Sequence, residues 1–262
     1  MPEIHPTAII APGARLADSV SVGPFCIVGG AAVLGEGVRL LSHVVIEGLT
    51  TIGQGTVIHT GAVIGGAPQS LGDKGEDTAV AIGAGCILRE HVTVNRGTIR
   101  DRAITTIGDR CFIMTGAHIG HDCSVGNDVV MANNALLAGH VQIADFAWVG
   151  GGSAIHQFAR VGRYAFVGGA AALEGDLIPY GSAIGNRASL EGLNLVGLKR
   201  RGVARDRIHR LRNGFEALFF GEGDFAERLG HVAATFHDSP EVEEIVTFIR
   251  NRGKRPLCLP GQ

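Results

Sequence analysis

The sequence predicts a mainly β fold: a parallel β-helix of six-residue repeats over residues 1–186, followed by a small α-helical domain over 187–262. Three observations carry this. An aliphatic residue recurs at every sixth position, a small residue follows it four positions later, and helical spacing replaces both beyond about residue 178.

The aliphatic series starts at Ile4 and runs through Ile10, Leu16, Val22 and Val28 to Ile64 without a slip. It resumes at Ile82, Leu88 and Val94, and again from Ile107 to Leu173; of 26 such positions, 25 are Ile, Leu or Val and the other is Met131. Six is not a helical period, so these side chains would drift off any helix face. A short strand with inward side chains and a tight turn fits, and stacked coils then pair their strands in parallel. Burying each aliphatic chain contributes at most ~1.5–3 kcal/mol before chain entropy is counted.

The second inward position holds Ala8, Ala14, Val20, Cys26, Ala32, Val38 and, later, Cys86, Cys111, Ala117, Cys123 and Ala135. Four of the five cysteines therefore read as small buried hydrophobes. There is no CxxC pair and no zinc-finger spacing. A net charge of −2 gives no reason to expect nucleic acid. The N-terminus lacks a basic region followed by an apolar run, and no stretch approaches the ~18 apolar residues of a membrane span. The expected location is the cytoplasm.

Two segments break the register, 66–79 and 100–106. Long loops on a rigid scaffold commonly carry function, so the first is expected to cover a binding site. Past the repeat, Ile208, Leu211, Phe215, Leu218 and Phe219 form an i, i+3, i+4 stripe, and 225–236 and 242–249 read as two more helices. Asp238-Ser239-Pro240 offers a helix start. The last 76 residues hold 13 of the 23 Lys and Arg residues, including the run Lys199-Arg200-Arg201, which suits an anionic ligand or protein.

If three six-residue sides make a coil, residues eighteen apart stack. His121, Gly139 and Gln157 then align, with His140 and His156 flanking them, His118 on the approach and Arg96 one coil below. His5, His43, His59 and His91 read as solvated turn residues. Such a corner suits general-base chemistry by His121, with Asp122 orienting it and the Gly139 N–H facing a developing oxyanion. A metal site is the other chemistry several histidines can serve, but no carboxylate–histidine second shell is evident, and no metal is expected.

With these residues in hand, the sequence resembles the UDP-N-acetylglucosamine O-acyltransferases, which open lipid A synthesis. The likeness covers nearly the whole chain and rests on HPTAI (5–9), VGPFC (22–26), AHIGHDC (117–123), ANNALLAGHV (132–141), IHQF (155–158) and NLVGLKRRG (194–202). It implies a left-handed β-helix, a homotrimer with sites between neighbours, and transfer of an (R)-3-hydroxyacyl group from acyl carrier protein to the sugar 3-hydroxyl. No cofactor is implied beyond the phosphopantetheine thioester of the donor. His121 matches the general base, Asp122 its neighbour, and Gly139 the N–H facing the thioester carbonyl. His118, His140 and Gln157 match sugar and pantetheine contacts. Asn194, Arg200 and Arg201 match the nucleotide end, and the basic tail would face the acidic carrier protein. Gly169 matches a position that limits acyl length, where glycine favours a longer chain.

The first loop departs from the family's PQDLKYKGE. Gln69 is kept as a substrate contact, but Ser70 and Gly72 replace the Asp and the first Lys, and Val196 stands where some members carry Glu. These changes leave a 3-amino analogue open as acceptor. Two rivals remain outside the family: a zinc-dependent hexapeptide carbonic anhydrase and a scaffold without activity. A third, the related N-acyltransferase, carries a uridine-binding domain before its repeat, for which a repeat starting at Ile4 is expected to leave no room.

Overall fold

A computed structural model describes residues 1–261; Gln262 lies outside the described residues. Among the described residues, the repeat folds into a triangular prism of mostly two-residue strands. Its first face has eleven strands, from Glu3–Ile4 to Ser189–Leu193, its second nine, from Ile9–Ile10 to Ala172–Leu173, and its third eight, from Arg15–Leu16 to Arg160–Val161. Ile4 pairs with Val22 and Ile10 with Val28, so one coil consumes eighteen residues.

The core is the column of inward aliphatics. From Val22 to Leu173 every aliphatic-series residue is buried, whereas Ile4 is 40% exposed and Ile10 and Leu16 are only half-buried. Among the described residues no coil packs beneath the first one, which leaves its aliphatics less covered. The small positions Cys26, Cys86, Cys111 and Cys123 are all buried, and burial pushes the Cys123 thiol up to about 12. Cys258, uninformative in sequence, is buried too, with its thiol donating to the Ala188 carbonyl.

Where the register breaks, the pairing offset lengthens: Val57 pairs with Ile87 and Thr93 with His118, offsets of 30 and 25 residues. The coils thus carry 12 and 7 extra residues. The excursions lie between Val63–Gly66 and Ala79–Ile82, and between Thr93–Asn95 and Ile104–Ile107. The second is therefore 96–103 rather than 100–106. Ile104, Thr105 and Thr106 are strand, paired with Ala79, Val80 and Ala81.

Corners turn through residues with left-handed backbone, often without glycine. Asp122, His140 and Phe158, eighteen apart, have φ of 60°, 64° and 67°. Each such residue costs about 1–2 kcal/mol relative to ordinary backbone. Coil-to-coil hydrogen bonds hold the turn: His140 N–H donates to the His121 carbonyl at 2.9 Å, and Phe158 N–H to that of Gly139 at 3.2 Å.

Residues 181–193 close the prism as an antiparallel hairpin, so sheet pairing continues past residue 186. Among the described residues four helices follow: α1 (Leu195–Arg200), α2 (Arg205–Phe220), α3 (Phe225–Thr235) and α4 (Pro240–Arg250). The α2 stripe packs with Val232 of α3 and with Val242, Ile245, Val246 and Ile249 of α4. Pro240 opens α4 as the sequence predicts, although the Ser239 side chain makes no capping bond. Asp224 and Glu227 form a capping box on α3. Helix α4 is tied to the prism by Glu244, which pairs with Arg163 at 2.7 Å and accepts from the Tyr180 hydroxyl. Among the described residues, no helix is long and apolar enough to cross a membrane.

Candidate active site

The corner between the second and third faces brings the predicted histidines together in part. His121 Nδ1 lies 2.8 Å from Asp122 Oδ2. The Asp122 side chain is fully buried and accepts from the Thr98 N–H at 2.9 and 3.1 Å and from its hydroxyl at 2.7 Å. The Asp122 N–H in turn donates to the Thr105 hydroxyl at 2.8 Å. Burial acts to raise the Asp122 pKa, but the Thr98 N–H, then His121 and the Thr98 hydroxyl, outweigh it and hold the carboxyl below its usual range. An ionised acceptor at Nδ1 keeps the His121 proton there and leaves Nε2 with a lone pair.

Gly139 stacks on His121 so closely that a Cβ would lie 2.6 Å from Cε1. Among the described residues the Gly139 N–H has no hydrogen-bond partner, while its carbonyl is engaged by Phe158. The corner therefore offers a base nitrogen and an unpaired N–H on adjacent coils.

His140 stands edge-on to His121, ring centroids 4.9 Å apart, and its other side stacks on Phe158 at 4.3 Å. Its Nδ1 lies 2.6 Å from Asp101 Oδ2. His118 is half-buried on the approach and shares a hydrogen bond with the Thr93 hydroxyl at 2.8 Å. Burial first, and the neighbouring His121 second, push its pKa below the ordinary imidazole value. Gln157 is exposed at the top of the stack. His156 is exposed, and together with Gln157 and Phe158 it lines a cleft against Lys254 and Arg255 of the C-terminal segment. The remaining turn histidines are solvated except His59, which is half-buried with Nδ1 3.2 Å from Glu90.

Two carboxylate–histidine pairs stand at this corner: Asp122 turns inward at its left-handed position beside His121, and Asp101, which the spacing does not place, reaches His140 from the second excursion. Donor atoms of His121, Asp122 and His140 lie within 4.8 Å of one another. Both Nδ1 atoms face carboxylates, which leaves the two Nε2 atoms as the imidazole nitrogens without a protein partner among the described residues.

The residues predicted for the nucleotide end lie away from this corner. Asn194 and Arg200 line a largely apolar cleft of about 500 Å³ beside Trp148 and Phe166 on the first face. Asn194 caps α1, accepting from Gly197 N–H at 3.0 Å and donating to the Tyr164 carbonyl at 2.9 Å. The Arg201 guanidinium sits 4.3 Å over the Phe146 ring. In the first loop Gln69 is exposed and Ser70 half-buried, and among the described residues no hydrogen bond joins either to the histidine corner. One chain alone does not unite all the predicted contacts.

Residues 104–139 match the bacterial transferase hexapeptide (six repeats) profile, and 176–258 match domain 2 of the Udp N-acetylglucosamine O-acyltransferases. An acyl-[acyl-carrier-protein]–UDP-N-acetylglucosamine O-acyltransferase of Caulobacter vibrioides is 57% identical over 257 residues, 98% of either chain. The enzyme of that name from Bartonella henselae is 47% identical over 98% of this chain and 94% of its own. The chain belongs to the UDP-N-acetylglucosamine O-acyltransferase family.

Structure agrees with sequence. The crystal structure of the UDP-N-acetylglucosamine O-acyltransferase from Moraxella catarrhalis superposes with a TM-score of 0.93 at 40% identity, covering 97% of this chain and 99% of that one. The fold is the left-handed parallel β-helix of these acyltransferases. Against the family pattern the first loop is altered in a way the fold accommodates. A Cβ on Gly72 would lie 3.0 Å from Cζ of Arg100, so the guanidinium of the second excursion fills space that a side chain at 72 would need. Asp73 and Arg96 join the two excursions at 3.9 Å. Val196 is exposed at the cleft of Asn194. Gly169 is exposed, and a Cβ there would meet only the Gly151 carbonyl oxygen, at 3.4 Å.

Proposed function

We propose that this chain transfers an (R)-3-hydroxyacyl group from acyl carrier protein to the 3-hydroxyl of UDP-N-acetylglucosamine, the opening step of lipid A synthesis, with His121 as general base. The observation that carries the reading is the His121–Asp122 pair beneath the free Gly139 N–H. Nε2 takes the proton of the sugar hydroxyl as its oxygen attacks the thioester carbonyl. The Gly139 N–H donates to the oxyanion, which collapses to the ester and expels the phosphopantetheine thiolate; the thiolate recovers the proton from His121. Buried Asp122 holds the imidazole upright throughout and stabilises its charged form. The cycle needs no metal or dissociable cofactor. His118, His140 and Gln157, with Gln69 and Ser70, contact the sugar and the pantetheine arm, and Gly169 admits a long acyl chain.

The active unit is a homotrimer in the cytoplasm. Within one chain the histidine corner lies opposite the first face, where Asn194 and Arg200 stand, so a neighbour is needed to bring the nucleotide end to the base. Outward aliphatics on the second face, Ile9, Ile27 and Leu136, are 44–62% exposed and suit such contact. A cleft lined by Lys199, Arg205, His209 and Arg212 suits the acidic carrier protein.

The test offers the purified chain UDP-N-acetylglucosamine, or its 3-amino analogue, with 3-hydroxyacyl carrier proteins of several lengths. Ester at the 3-hydroxyl is the expected product. Preference for the amine would overturn the acceptor, and no transfer by a folded trimer would overturn the reading itself.

A further inference from the structure

We propose that Asp101 is a positioning residue: it sets the orientation of the His140 imidazole and keeps that ring from competing for Asp122. The second excursion returns to the corner at two points. Thr98 binds Asp122 and Asp101 binds His140, so the loop carries a partner for each member of the site.

The need for Asp101 follows from what else touches the His140 ring. The backbone leaves the corner at a φ of 64°, and the ring stands perpendicular to that of His121 and stacks on the face of Phe158. Those contacts fix the plane of the ring. They do not distinguish it from the same ring flipped by half a turn, because a stacked face is indifferent to where the nitrogens lie. The contact that does distinguish them is the 2.6 Å approach of Asp101 Oδ2 to Nδ1, a charge-assisted hydrogen bond. It places the proton on Nδ1 and leaves Nε2 at the opposite end of the ring for a substrate.

A second consequence concerns His121. Asp122 Oδ2 lies 2.8 Å from His121 Nδ1 and 4.0 Å from His140 Nδ1. Without Asp101 the nearest carboxylate for His140 is the one that orients His121. The charged and titratable groups around His140 are Asp101 from the excursion and His121 and Asp122 from the coil below; Phe158 above is neutral. Asp101 therefore separates the two imidazoles into two private pairs. The side chain is 40% exposed, so its removal leaves no buried polar group of its own behind.

The kinetic half of the test rests on the acyltransferase reading; the spectroscopic half does not. Asp101→Ala is compared with the parent, alone and in a His140→Ala background, on the full chain. Removing Asp101 is expected to lower kcat/KM roughly tenfold or more when His140 is present, and to change nothing further when it is absent. Side-chain nitrogen NMR near pH 8 should show His140 as the Nδ1–H tautomer in the parent and as a mixture or the Nε2–H form in Asp101→Ala. Asp101→Asn, which keeps an acceptor, should restore much of the parent spectrum and serves if the alanine variant unfolds. An equal loss in both backgrounds, or an unchanged His140 spectrum, would overturn the proposal. If the parent shows no transfer at all, the functional reading fails while the spectra still decide the role of Asp101.

Discussion

The imidazole of His121 occupies the space that a side chain on Gly139 would need: a Cβ there would lie 2.6 Å from Cε1 and 2.7 Å from Nε2. The φ of Gly139 is not in the left-handed region, so the glycine is required by its neighbour, not by its own backbone. Gly139→Ala should therefore fold but push the ring off Asp122 and block approach to the N–H. A fall in kcat of about 10²-fold or more is expected, with near-parental melting. Turnover within a few-fold of the parent would show that neither the stack nor the N–H matters.

His121→Ala removes the base and leaves Asp122 with its Thr98 hydrogen bonds, so the corner should survive. Acyl transfer should drop by about 10²–10⁴-fold, the usual worth of a general base, while sedimentation shows an unchanged oligomer. Near-normal turnover would refute the role of this residue.

Much of this was legible in the letters. The six-residue period told which side chains point inward, because each coil sees the same neighbours above and below. The eighteen-residue turn then aligned His121, Gly139 and Gln157 by counting alone. Spacing could not place what the excursions return: Asp101 and Thr98 belong to no register, yet they touch His140 and Asp122. Nor could counting show that His156, Gln157 and Phe158 share a cleft with Lys254, which lies 98 residues downstream of His156 and outside the repeat. Asn194 looked like a ligand contact; its local job as the cap of α1 is visible only once the helix is built.

His118 supplies a pH prediction. Its folded pKa lies below the reference 6.5, chiefly through burial. The unfolded chain takes up a proton as pH falls through about 6.5, while the folded chain resists until lower pH. The contribution to stability is thus full above 6.5 and is lost as pH drops from there toward the depressed folded value. Melting of the parent and of His118→Gln at pH 7.5 and 5.5 should show a smaller acid-induced drop in the variant. Equal drops would mean that His118 is not the group responsible.

Arg201 rests on Phe146 and Tyr164, and among the described residues it forms no salt bridge, although the Asp128 carboxylate is near enough to feel its charge; aromatic faces rather than a tight ion pair hold the guanidinium in place. That is the state in which a guanidinium can take a diphosphate. Arg201→Ala should raise KM for the nucleotide sugar by roughly tenfold with a smaller change in kcat, the pattern of lost ground-state binding. Unchanged affinity in a direct binding titration would remove Arg201 from the site.

Asp176 joins the prism to the C-terminal segment. Its fully buried carboxylate faces Arg160 Nη2 at 2.6 Å and Arg255 Nε at 3.3 Å, and accepts from the Arg160 N–H at 2.9 Å. Its own backbone pairs with Pro256 and Cys258 on the returning chain. Truncating one partner of such a pair leaves the other charge buried and uncompensated, at a cost of about 3–5 kcal/mol. Asp176→Ala should lower the unfolding free energy by that order in urea. It should also speed proteolysis after residue 250, because the same carboxylate secures Arg255 on the segment that follows α4. Asp176→Asn, which keeps an acceptor for the Arg160 N–H, should lose less. If the alanine variant melts like the parent, the C-terminal segment is held by its apolar contacts at Leu257 and Cys258, and the ion cluster contributes little.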